Sequence, residues 1–291
     1  MDSDSTINYK LTRKINSFAV GKEELKRLYL ILQERSNAAG DLEIANYKQE
    51  KQTDEEYAAN KLRIKESTRL KLTITSNDGK ELYGNIEDVF ESVAFPEQIK
   101  SVYVNSELLL KTHYNYTPRN SFELLLDFSK PDLFDLSFMP SSATPNNSNI
   151  KVQGRDTTWV HGVFSEFNDF VSKYPSKMAW LHKNSVYDLI LWLAGFPAGF
   201  WLTYSFSEFI NKIFGSFSVF VQNAAYVYLF LFSLVLLRLI FHYSRWIWPL
   251  IEYQGSKNTA LKHKVFITAI LFGLLIDFIH DILNFILSIS K

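Results

Sequence analysis

Near the end of the chain, Asp277, His280, Asp281, Asn284 and Ser288 recur at i, i+3, i+4, i+7 and i+11 within the run VFITAILFGLLIDFIHDILNFILSIS, residues 265–290. Two carboxylates and an imidazole in that register can relay protons, line an aqueous path or share a cation. On a helix, at about 100° per residue, the five positions fall inside an arc roughly 100° wide, and Gly273 lies on the same line. The rest of the cylinder is mainly Phe, Ile and Leu. The run has the length that a helix needs to cross a hydrocarbon core about 30 Å thick. Ionisable groups at that depth are costly, so the stripe requires a partner, water or a function. Three readings stay open. The stripe can pack against polar groups such as Gln222, Asn223 or Arg238, with an Arg238–Asp277 pair conceivable. It can be a functional face, a pore lining among them, in an oligomer. Or the helix can lie in the interface, although such helices usually carry Lys and Arg rather than Asp. A cation held from one helix needs ligands from elsewhere, and no second set is evident, so no metal is assigned.

Other motifs speak more softly. Ala194-Gly195-Phe196-Pro197-Ala198-Gly199 carries two overlapping small-xxx-small pairs that let helix backbones approach, and Pro197 should kink its helix. Gly154-Arg155-Asp156-Thr157-Thr158-Trp159 sits where a loop enters a helix. Arg155, Thr157 and Thr158 could contact an anion or ligand there, although a capped helix start explains the same residues without one. His113, His161 and His182 are scattered, and Glu23/Glu24, Asp54/Glu55/Glu56 and Glu87/Asp88 read as solvated faces. With no cysteine there is neither a disulfide framework nor a thiol nucleophile. No catalytic motif stands out, so neither an enzyme nor a cofactor is expected.

The elements that would position these residues follow from periodicity. Met1–Ser17 is polar and expected to be loosely ordered. Leu25, Leu28, Tyr29, Ile31 and Leu32 recur at helical spacing from Gly21 to about Gly40, and the charged stretch Asp41–Ser67 reads as a solvated helix or helical linker. From Arg69 the period becomes two. RLKLTITSNDGKELYG alternates across Asn77-Asp78-Gly79, a strong hairpin signal, and Ile99–Asn105, Phe122–Phe128 and Ile150–Gln153 are further strands. Pro140–Asn149 is a loop, after which WVHGVFSEFNDFVSKY returns to helical spacing with Asp156 or Thr157 as its cap.

The chain therefore predicts an α+β domain with a largely antiparallel sheet flanked by helices (69–183), preceded by a helical region (1–68). A module of about three transmembrane helices follows (186–290), with spans near 187–206, 217–241 and 265–289. Lys plus Arg (31) equals Asp plus Glu (31), which predicts no nucleic-acid partner. Lys173, Lys177 and Lys183 precede the first span, while Arg238, Arg245, Lys257, Lys262 and Lys264 gather between the second and third, with Trp246 and Trp248 as a belt. The positive-inside rule then puts the α+β domain in the cytoplasm and the C-terminus opposite. The opening MDSDSTINYKLTRK has no apolar signal-peptide core, which agrees. The function expected is that of a membrane-anchored signalling or effector protein. A cytoplasmic ligand or protein would control an oligomeric membrane module that conducts ions or perturbs the bilayer. A non-conducting scaffold that recruits a protein partner is the alternative.

Overall fold

The computed structural model describes residues 7–131, 144–255 and 260–289, apart from the side chains at 184, 260, 282 and 284–289. Two compact units emerge. One holds the described parts of Met1–Lys130, Thr144–Ala179 and Pro249–Ser256; the other holds those of Pro131–Ala143, Trp180–Trp248 and Lys257–Lys291.

The first unit is α+β. Its elements run β1 (Tyr9–Lys14), β2 (Phe18–Val20), α1 (Lys22–Asn46), α2 (Asp54–Ser67), β3 (Lys71–Ser76), β4 (Glu81–Asn85), α3 (Ile86–Glu91), β5 (Ile99–Asn105), α4 (Leu108–Tyr114), β6 (Asn120–Asp127), β7 (Asn149–Gly154) and α5 (Thr157–Lys173). Six strands form one antiparallel sheet in the order β1-β7-β6-β5-β3-β4. The hairpin lies where Asp78-Gly79 predicts it, with Gly79 at φ 85°, a conformation glycine adopts without a steric cost. Leu72, Ile74, Val102, Val104, Leu124, Leu126, Ile150 and Val152 alternate onto one face and join Leu25, Leu28, Leu32, Val160, Val163 and Phe167 of α1 and α5 in one core. Each such side chain contributes about 1.5–3 kcal/mol on burial. Thr73, Tyr103, Leu125 and Lys151 stand half-exposed on the opposite face. Arg35 of α1 clasps Glu166 of α5, its Nε 2.7 Å from Oε2, and this hydrogen bonding holds the Glu166 carboxyl below its ordinary range. The clasp is therefore in place at neutral pH and is lost as the pH falls through that lowered value.

The N-terminal stretch departs from expectation. Tyr9–Lys14 is an ordered edge strand, paired with β7 from Tyr9↔Gly154 to Lys14↔Asn149. Its Lys10, Arg13 and Lys14 are exposed, as suits a sheet edge that must not recruit further strands. A partner so distant in sequence leaves no local pattern. The helix predicted to stop near Gly40 continues to Asn46, and α2 begins at a Thr53 capping box. Of the Pro140–Asn149 loop, residues 140–143 lie outside the described residues.

One strand arrives from far along the chain. β8 (Ile251–Tyr253) pairs in parallel with β2, Phe18↔Ile251 to Val20↔Tyr253. The Phe18 amide donates to Leu250 O (3.1 Å), the Gln254 amide to Val20 O (2.8 Å) and Ser176 Oγ to Pro249 O (2.9 Å). Ile251 is buried, Tyr253 meets Phe128 edge-on, and a Cβ on Gly255 would stand 2.2 Å from Glu97 O. On the other side of β2, the Ala19 amide donates to Tyr174 O, at the end of α5.

The second unit is helical: α6 (Asn184–Ile190), a π turn (Leu191–Gly195), α7 (Phe196–Ser205), α8 (Ser207–Phe214), α9 (Val219–Ile247) and α10 (Ala260–Ile289). Among the described residues, three helical stretches are long and apolar enough to cross a membrane: Ser185–Ser205, Val219–Ile247 and Leu261–Asp281. Pro197 sits in the first turn of α7, and the π turn ahead of it takes up the irregularity that the missing amide demands.

If β8 anchors its loop through core burial, Ile251→Ala should destabilise the α+β unit by about 2–4 kcal/mol. Hydrogen exchange in detergent should then speed up at Phe18–Val20 and Gln254, while α9 amides keep their protection. Unchanged exchange at these positions would refute the anchor.

Candidate functional site: the polar face of the third span

Among the described residues, α10 leans on the rest of its unit along one edge. The Tyr243 hydroxyl and His263 Nδ1 are 2.7 Å apart, and Trp246 meets the His263 ring edge-on. Ile267 is buried. Further along, Trp201 Nε1 of α7 donates to Asp281 Oδ2 at 2.9 Å. Taking Gly273 as zero, His263, Ile267 and Asp281 fall at about 80–120° around the helix and His280 at about −20°. The stripe is thus divided. Asp281 faces inward to α7, whereas His280 lies about 100° away and Asp277, at about 40°, falls between the two.

His280 and Asp281 side chains are 72% and 50% exposed, with Nδ1 and Oδ1 3.8 Å apart, an ion pair when the imidazole is protonated. Asp277 is exposed and makes no hydrogen bond or ion pair among the described residues. The Arg238–Asp277 pair that the sequence allows is not formed. Instead Arg238 stands over the Tyr187 ring, 5.9 Å from its centroid. The side chains of Asn284 and Ser288 lie outside the described residues. A carboxylate and an imidazole less than one turn apart can pass a proton or hold a partially hydrated cation, provided another surface closes the site. Among the described residues no group of three or more His, Cys, Asp or Glu could hold a metal ion.

The small residues of the first span divide as well. Gly195 and Gly199 are buried against α9, where a Cβ would stand 2.6 Å from Leu237 Cδ2 and 2.8 Å from Ser233 Oγ respectively. Ala194, Ala198 and Pro197 are exposed. The glycine pair therefore serves close packing within the chain, and Phe196 and Phe200 pack on Phe230 of α9.

In the α+β unit, Arg155 and Thr158 are exposed and Thr157 half-buried at the start of α5. Asp156 caps that helix, its Oδ1 accepting from the Trp159 amide at 3.0 Å, so a carboxylate of the chain itself already occupies the positive end of the helix. Two features escaped sequence reasoning. Glu43 is buried on α1 and accepts from the Tyr116 hydroxyl at 2.7 Å and from the Arg119 amide. Burial, reinforced by Glu43, pushes the Tyr116 phenol up to about 12. The signal was present, because Leu25, Leu28, Leu32, Ala39 and Glu43 share one buried helical face. The second is Arg245, which reads as an interfacial cation and is instead buried, its Nε donating to Leu181 O at 2.9 Å. A cleft of about 800 Å³ between α1, α2 and the start of α3 is lined by Gln33, Asn37, Asp41, Lys65, Arg69 and Glu87. Gln33 already spends its amide on Thr68 O and the Leu70 amide.

A double-mutant cycle tests the α7–α10 tie. Trp201→Phe and Asp281→Ala should couple by about 0.5–2 kcal/mol in thermal unfolding of the full chain in detergent. Additive effects would show that the indole does not hold the carboxylate. No family model matches the chain, and neither a curated protein nor a solved structure matches it.

Proposed function

We propose that the chain is a membrane-embedded effector. Its α+β unit senses a ligand or protein partner, and its three-span module, assembled as an oligomer, passes ions or protons along the polar face of α10. The observation that carries this reading is the exposure of Asp277 and His280 on an apolar helix of spanning length. In hydrocarbon, such groups demand water or a polar neighbour, and a water-lined path between copies supplies both. The exposure along this face supports it further: Asp281 is held by Trp201, while His280 lies about 100° around the helix from it.

The cytoplasm is the side we assign to the α+β unit. Lys173, Lys177 and Lys183 before the first span and Lys262 and Lys264 before the third agree with the positive-inside rule. The membership of β8 in the α+β unit supports a connection between the second and third spans on that same side, with the C-terminus on the other. β8 also suggests how sensing reaches the membrane. A shift of β2, which leads directly into α1, acts on the segment joining α9 to α10.

The test is ion flux from liposomes holding the full chain, with Asp277→Asn/Asp281→Asn as the paired variant. Wild-type vesicles should leak cations or protons. The double variant should change that rate by about tenfold or more, the effect of a barrier change of about 1.4 kcal/mol. Equal rates, or silence from both, would overturn conduction and favour a scaffold that recruits a partner to the membrane.

A further inference from the structure

We infer that the groove between α8 and α9 seats an acyl chain of a membrane phospholipid, so that the helical module carries a lipid as part of its packing. The inference rests on the reading above only in that α9 crosses the bilayer, and conduction does not enter it.

α8 has the character of a helix lying at a membrane surface. Around its axis Phe209, Ile210, Ile213 and Phe214 fall within an arc of about 140°, with Glu208 and Lys212 on the other side. That division suits one face in hydrocarbon and one in water. Polar bonds fix α8 beside α9. The Tyr226 hydroxyl donates to Asn211 Oδ1 at 3.0 Å, and Gln222 Nε2 donates to Gly215 O and Phe217 O at 3.3 and 3.2 Å. Between the two helices lies a groove of about 550 Å³. Phe206, Phe209 and Phe214 line one side of it, and Ala224, Ala225 and Leu229 of α9 the other. The two alanines, followed at once by Tyr226, Val227 and Tyr228, leave the room.

Depth and chemistry name the occupant. The first charge along α9 is Arg238, about 29 Å from Val219 at the helical rise, so Val219 stands at one edge of a hydrocarbon core about 30 Å thick. The groove follows α9 from Val221 to Leu229, about 3–15 Å below that edge, which is the depth of a single leaflet. The side chains that line it are apolar apart from the Tyr228 hydroxyl. An extended peptide in that place would leave its backbone amides unsatisfied, whereas an acyl chain has none to satisfy. A spanning helix would need a track through both leaflets, and the groove serves one. Glu208 and Lys212 lie on the other side of α8, so the groove takes the chain and not the headgroup.

The probe is phosphatidylcholine with a diazirine in one acyl chain, doped into phosphatidylcholine liposomes that hold the full-length chain. After irradiation, lipid adducts are mapped by mass spectrometry. Wild type should be labelled on Ala224–Leu229. Ala225→Leu, which fills the groove, should lower that labelling by about threefold relative to the exposed Phe266 and Phe272 of α10. Steady labelling of α10 shows that the variant is still folded in the bilayer, and Ala225→Ser, which keeps the space, should behave as wild type. Labelling that Ala225→Leu leaves unchanged would mean bulk lipid only and overturn the groove. Adducts on α10 but not on Ala224–Leu229 in wild type would mean that protein, a second copy for instance, covers it, and would overturn it too. Phosphatidylglycerol with the same chain should label equally, and a strong dependence on headgroup would refute recognition through the chain. Adducts on neither helix would remove the membrane placement itself. Groove labelling without ion flux from the same vesicles would keep the lipid and discard conduction, so the two readings fail separately.

Discussion

Three residues, Phe18 to Val20, hold the covalent routes to the membrane module together. One side of β2 bonds the end of α5, from which the chain runs on to the first span. Its ladder partner is β8, the link between the second span and the third. Backbone amides buried in a core must be paired, so neither route can detach without exposing donors and acceptors whose loss costs about 1–3 kcal/mol each. Phe18 and Val20 are themselves fully buried, and Ile251 packs into the same core. The joint is small, but the Phe18 and Ala19 amides and the Val20 carbonyl are all committed there.

The membrane module obeys a different constraint. Helices in hydrocarbon gain little from excluding water, so they associate through close backbone approach and polar contacts. The first two spans use the former, with Gly195 and Gly199 admitting Leu237, Ser233 and Phe230 of α9. The third span uses the latter: Tyr243 with His263 at one end and Trp201 with Asp281 further along. Between those ties α10 keeps a broad surface for something else, and the groups on that surface are the ones whose solvation is most expensive in lipid.

Much of the fold was legible because local periodicity records which face is apolar. The alternation through Leu72 and Ile74, the Asp78-Gly79 turn and the helical recurrence from Leu25 each locate an element without knowledge of its neighbours. The third-span stripe was legible for the same reason, since five polar positions on one arc are a property of the helix alone. What stayed hidden were short or atypical partners. β2 and β8, three residues each, are too brief to show a period, and Glu43 looks like one more charge on a charged helix until Tyr116 and Arg119 close over it.

By itself, then, the sequence determined an antiparallel α+β domain, three helices of spanning length and a polar arc on the last, because each depends on residue spacing within one element. Tertiary structure alone decided that the N-terminal strand completes the sheet edge and that the loop between the second and third spans belongs to the α+β core. It alone placed Trp201 on Asp281 and left Asp277 exposed. Those outcomes depend on which distant segments meet. A meeting of that kind is set by loop closure, shape and the satisfaction of buried polar groups, none of which is written in any short window of the chain.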